Sequence, residues 1–251
     1  MISTRVIPVL LLQNHQLVKT TQFKNPKYIG DCINALKIFN EKGADELVIL
    51  DIGAANAGKP DFEFVEQLVS ECFMPLAYGG GIQTTDHAQR LFSLGIEKAV
   101  IGAAAHTNPS LVNSLSQQFG SQSVVVSIDV KKDWLNRPRV YIQNGKKNTG
   151  IEPVHYAQQM ESLGAGELIV QSIDREGTGS GYDLELITQV SKDLKIPVVA
   201  LGGASAFTDF GRAKQAGASA VAAGSLFVFK GPHKAVLISY PGRSELKGIL
   251  S

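Results

Sequence analysis

The chain has 251 residues, with 24 Lys and Arg against 23 Asp and Glu, a formal net charge of +1, and 44% apolar residues. That length suits one large domain spanning 1–251, and the balanced charge offers neither a basic surplus for nucleic acid nor the acidic excess of a disordered chain. The amino-terminal apolar run VIPVLLL is far too short to cross a bilayer and reads as a buried strand, so the expectation is a cytoplasmic protein with reduced Cys32 and Cys72.

Apolar runs of strand length alternate with stretches of helical period along the whole chain. Strands are predicted at 6–11, 47–52, 74–78, 99–102, 124–129, 168–172, 197–201 and 220–224. Amphipathic segments such as DCINALKIFNEKG, DFEFVEQLVSEC and NPSLVNSLSQQFG lie between them. This alternation implies parallel strands joined by crossover helices. The halves also repeat each other. GADELVILDI (43–52) matches GAGELIVQSI (164–173), MPLAYGGGI (74–82) matches IPVVALGGA (196–204), and GIEKAVIGAAA (95–105) matches GASAVAAGSLF (217–227). An in-register twofold repeat predicts a (βα)8 barrel of two half-barrels; a doubly wound open sheet would need a switch point instead.

Barrel sites lie at the carboxyl ends of the strands. Here the third strand runs into Gly79, Gly80 and Gly81, the fourth into Gly102 and Ala103, the seventh into Gly202 and Gly203, and the eighth into Gly224 and Ser225. Such turns let backbone N–H groups approach an anion, so the repeat predicts phosphate-binding places on opposite sides of the mouth. Tight packing is the plainer use of the same glycines. Among strand-end carboxylates, Asp129 ends the fifth strand, and its counterpart at the end of the first strand is Leu11. An alkyl side chain moves no proton, so an acid–base pair at this mouth is reduced to one member. Asp51 and Asp174 read as loop-ordering groups.

At the other end of the barrel, Arg5, Glu46, Lys98 and Glu167 immediately precede the first, second, fourth and sixth strands. Two cations and two anions can close a ring of salt bridges, serving stability or acting as a gate. His15, His87, His106, His155 and His233 are scattered without ligand spacing, and neither metal nor cofactor is expected. The stretch KKDWLNRPRVYIQNGKKNTG (131–150), which holds Trp134, reads as a hairpin over the mouth. Its Lys146 and Lys147 are available to an anionic ligand.

These residues resemble the cyclase subunit of imidazole glycerol phosphate synthase over nearly the full length. The resemblance rests on Arg5-Val-Ile-Pro, FNEKGADELVILDI, GGGI, FGSQSVVVSID, GKKNTG, GAGELIVQSIDREGTGSGYD and GGAS. It implies a (βα)8 barrel that receives ammonia from a glutaminase partner at its amino-terminal face and passes it to a phosphorylated substrate at the top. Asp129 and Leu11 then occupy the two catalytic aspartate positions, and Lys19 matches the family lysine of the first loop. Arg5, Glu46, Lys98 and Glu167 match the ammonia gate. The glycines Gly80, Gly81, Gly177, Gly202, Gly203 and Gly224 persist with Ser225. Gly102-Ala103 replaces an Asn-Thr phosphate contact, and Glu176 replaces an aspartate. The tail FVFKGPHKAVLISYPGRSEL (227–246) resembles a divergent branch tied to acetamidino modification of surface-polysaccharide sugars. That branch implies a glutaminase partner, a separate ATP-dependent amidotransferase and a phosphorylated or nucleotide-sugar ligand. Three readings stay open: an ammonia-delivering subunit for sugar amidation, an authentic cyclase–lyase of histidine biosynthesis, and a non-catalytic scaffold that activates a glutaminase. None calls for nucleic acid or a membrane.

Overall fold

The computed structural model describes residues 4–231 and 233–250; Pro232 of the tail stretch lies outside them. Eight parallel strands form a closed barrel: β1 Arg5–Gln13, β2 Leu47–Asp51, β3 Leu76–Gly79, β4 Lys98–Ile101, β5 Val124–Lys132, β6 Glu167–Ser172, β7 Val198–Leu201 and β8 Ala220–Ala223. Each pairs with its sequence neighbours, and β1 closes the circle by pairing Arg5–Pro8 with Ala220–Ala223. The sheet therefore has no free edge among these strands.

Side-chain alternation splits the apolar residues into two cores. Val6, Leu10 and Leu12 of β1 face outward into the layer shared with the helices, while Ile7 and Val9 face inward with Val48, Val100, Val125, Ile169 and Val199. The inner set fills the barrel with branched side chains, as expected of an eight-stranded closure. Helices start where short polar side chains cap them. Asp31, Asp51, Asp61, Thr84 and Asp183 each accept from a backbone N–H three residues on, satisfying an amide that the helix itself leaves unpaired.

The eight strands and their order match expectation, but several bounds differ. β1 runs on to Gln13 and β5 to Lys132, because each continues into an antiparallel hairpin; Leu11 and Asp129 thus lie inside strands rather than at their ends. Ile52 belongs to the helix Ile52–Ala57 that Asp51 caps, and Gly102 and Gly224 stand just beyond β4 and β8. Arg5, Lys98 and Glu167 are the first residues of their strands, and only Glu46 precedes its own. The predicted hairpin over the mouth is present, pairing β5 with Pro138–Ile142. A second hairpin, Gln16–Thr21 with Lys24–Asp31, stands where a loop after the first strand is expected. No described helix is long and apolar enough to cross a membrane.

Candidate active-site mouth and basal ion ring

The carboxyl ends of the strands surround a cavity of about 980 Å³. All eleven residues proposed from sequence for chemistry or phosphate at this end line it: Lys19, Gly80, Gly81, Gly102, Ala103, Asp129, Gly177, Gly202, Gly203, Gly224 and Ser225. Leu11 lines it as well. The β1–β2 register sets Leu11 beside Leu50, above Val9 beside Val48, so this wall of the mouth continues the apolar interior. On the facing wall, register sets Asp129 beside Gln171.

Asp129 lines the cavity and is only partly exposed. Burial pushes its carboxyl up to about 7, against the weaker opposing effect of a hydrogen bond with Ser127. Lys19 comes from the first hairpin and is almost fully buried, its Nζ donating to the carbonyl of Val9 at 2.8 Å. Desolvation pulls it down to about 8, and the nearby Glu176 carboxylate limits the fall. One carboxyl and one amine that titrate near neutrality thus share a concave site, a pattern that suits proton transfer.

Glu176 was expected only as a substituted aspartate, yet it anchors the first hairpin. Its carboxylate accepts from Thr20 Oγ1 at 3.1 Å and Phe23 N at 3.2 Å, while its backbone carbonyl accepts from Gln22 N at 2.9 Å. Gly177 packs directly on the Thr20 and Thr21 backbone, where a side chain would not fit. The turn residues Gln22 and Phe23 have φ of 52° and 61°, the left-handed region. Neither QLVKTT nor the Lys24–Asp31 stretch alternates apolar with polar residues, and the turn between them has no glycine, proline or asparagine, so no local signal marks this hairpin.

Several of the strand-end glycines are packed tightly. A β carbon on Gly80 would strike Asp51, one on Gly81 would strike the Lys59 and Ala54 backbone, and one on Gly203 would strike Gly181. Close backbone packing alone therefore accounts for these three, whatever the mouth binds. Asp51 and Asp174 order loops, as expected: Asp51 accepts from Ala54 N at 2.9 Å and Tyr78 Oη at 3.3 Å, and Asp174 from Lys132 N at 2.9 Å. Of the histidines, His15 does have a carboxylate partner, Asp61 at 2.8 Å, and it stacks on Phe64.

At the opposite end, the four charged residues form the expected closed ring. Arg5 binds Glu46 and Glu167, while Lys98 binds Glu46 at 2.7 Å and Glu167 at 2.9 Å. These are not surface pairs. Glu46 and Glu167 are 5% and 6% exposed, so each depends on both cations for compensation. The inward residue one step above Arg5 is Ile7, so the ring closes directly beneath the apolar interior.

Fold and mouth together define a (βα)8 barrel with a strand-end cavity at one end and a charged ring at the other. The chain matches the family described as "Histidine biosynthesis protein" over residues 5–233. A Pseudomonas aeruginosa protein provisionally named imidazole glycerol phosphate synthase subunit hisF2 is 47% identical, over 98% of this chain and 99% of its own. A Leptospira borgpetersenii protein, provisionally named the HisF subunit of that synthase, is 48% identical over 99% of each chain. The imidazole glycerol phosphate synthase subunit HisF of Alkaliphilus metalliredigens is 40% identical, over 90% of this chain and 91% of its own. This chain belongs to the histidine biosynthesis protein family, in its HisF-like group.

Proposed function

We propose that this chain is a synthase subunit that accepts ammonia from a glutaminase docked on the ring face and serves amidation of a surface-polysaccharide sugar. The observation that carries the departure from histidine biosynthesis is Leu11. It puts an alkyl group in the mouth where a two-carboxylate reaction would need a second acid or base. The intact ring and apolar interior support the ammonia half of the reading. Neutral ammonia suits an apolar passage, whereas ammonium would lose its hydration there without compensation. Asp129 then serves as the base that takes a proton from the incoming nitrogen, and Lys19 as the acid at the same cavity. Gly80, Gly81, Gly102, Ala103, Gly177, Gly202, Gly203, Gly224 and Ser225 frame a phosphorylated or nucleotide-sugar ligand. A separate ATP-dependent amidotransferase supplies any activation that the sugar amide needs.

The retained pair Asp129 and Lys19 favours one other reading, an authentic cyclase–lyase that works with a relocated acid. Complementation separates the two. The gene, supplied with its cognate glutaminase, is expected to leave an auxotroph lacking the histidine-pathway subunit unable to grow without histidine. Robust rescue would overturn sugar amidation as the main role.

A further inference from the structure

The two sides of the mouth repeat each other in backbone but not in chemistry. Repeat register sets Gly102-Ala103 after β4 against Gly224-Ser225 after β8. At Gly224, the space a side chain would occupy is filled by the Lys19 ammonium. At Gly102, the equivalent space is open, with nothing within 4 Å. The neighbouring position offers a hydroxyl on the β8 side, Ser225, and a methyl on the β4 side, Ala103.

The remaining charges follow the same division. Beyond β8, the tail folds into paired strands Phe229–Lys230 and Ala235–Val236, and the turn between them brings Lys234 to the cavity. Among the described residues that line the cavity from β2, β3, β4 and the segments after them, there is no lysine, arginine or histidine. Their one charged group is Asp51, a carboxylate. Asn56, Gln83 and Thr107 supply neutral hydrogen-bonding groups on that side. The third lining lysine, Lys146, comes from neither set of barrel strands. It hangs from the arch whose Gly145 lies against Phe23 and Ile173 and whose Asn144 reaches Asn56 at 3.2 Å.

We infer that the ligand of this mouth is anionic at one end only. A phosphoryl group lies on the β7–β8 side against Ser225, Lys234 and Lys19, and a neutral hydroxyl- or amide-bearing group enters the open space at Gly102. A second phosphate there would meet the Ala103 methyl on a wall that contributes no cation and whose one charged group is the Asp51 carboxylate, which is costly in a partly desolvated site. This inference rests on reading the mouth as the ligand site, and it narrows that ligand to a class.

Inorganic phosphate, titrated into the full chain labelled with 15N-glycine, tests it by NMR. Saturable shifts are expected at Gly202, Gly203 and Gly224, with none at Gly80, Gly81 or Gly102. Ser225→Ala and Lys234→Ala should each weaken phosphate about tenfold, the effect of losing one hydrogen bond to a charged group. The same spectra report whether each variant is folded. Comparable shifts at both ends, no saturable shifts, or an affinity that follows Lys146→Ala and not Lys234→Ala would overturn the inference. Sugar amidation is judged separately by histidine rescue, so the two can fail independently.

Discussion

At the scale of single residues, Leu11, Asp129 and Lys19 decide what the mouth can do. Loss of one member of an acid–base pair removes about 10²–10⁴-fold of rate. The purified chain, supplied with ammonia and the imidazole precursor, should therefore cyclise it very poorly; turnover typical of an ordinary cyclase would refute that. Leu11→Asp should recover only a small part, since Ala103 still lacks a side-chain donor. Asp129 also makes a pH prediction. Its folded pKa, about 7, lies above its unfolded value near 3.8, so the folded chain holds the extra proton between these limits. Stability from this group is full below the lower limit, falls as pH rises through the window, and is lost above pH 7. Asp129→Asn should therefore raise the melting temperature more at pH 8 than at pH 5; equal shifts at the two pH values would contradict it. Proton transfer that needs Asp129 ionised and Lys19 charged should peak between about pH 7 and 8. The Leu11–Asp129 contrast was legible in the sequence, because the two residues end the predicted first and fifth strands, which the half-barrel repeat makes counterparts. The shifted titrations were not, because they come from burial that no local pattern encodes.

At the scale of elements, the first hairpin is the part that sequence reading missed. Apolar runs of strand length between stretches of helical period revealed every barrel strand, because closure buries both faces and makes the strands almost uniformly apolar. They did not reveal where β1 and β5 end, since each leaves the barrel and continues as a half-exposed ribbon. Nor did they reveal Glu176 as the hairpin's anchor, a contact between residues more than 150 positions apart. Glu176→Ala should release Thr20 and the Phe23 amide at a cost of about 1–3 kcal/mol. Hydrogen exchange across 17–23 should accelerate while β6 stays protected. Unchanged exchange in that segment would show that the backbone bond from Gln22 to the Glu176 carbonyl is sufficient on its own.

At the scale of the whole molecule, the ring of Arg5, Glu46, Lys98 and Glu167 was legible as four charges at strand starts. Its depth was not: the closed barrel, rather than any local pattern, buries the two glutamates. Lys98→Ala leaves both with Arg5 alone. If the ring gates ammonia, the variant complex should hydrolyse more glutamine per amidated product while the barrel stays folded. A lowered melting temperature with an unchanged ratio would assign the ring to stability alone. The seam between β1 and β8 has a different consequence. Arg5–Pro8 pair with Ala220–Ala223, and Tyr240 from the tail donates to the Val6 carbonyl at 2.9 Å. β1 must therefore wait, one side unpaired, until β8, far along the chain, has been made. Contacts this distant in sequence form late and slowly. During translation β1 is an open edge able to recruit the β8 of a neighbouring copy, and the Tyr240 clasp fastens the segment after β8 to β1 once the two meet.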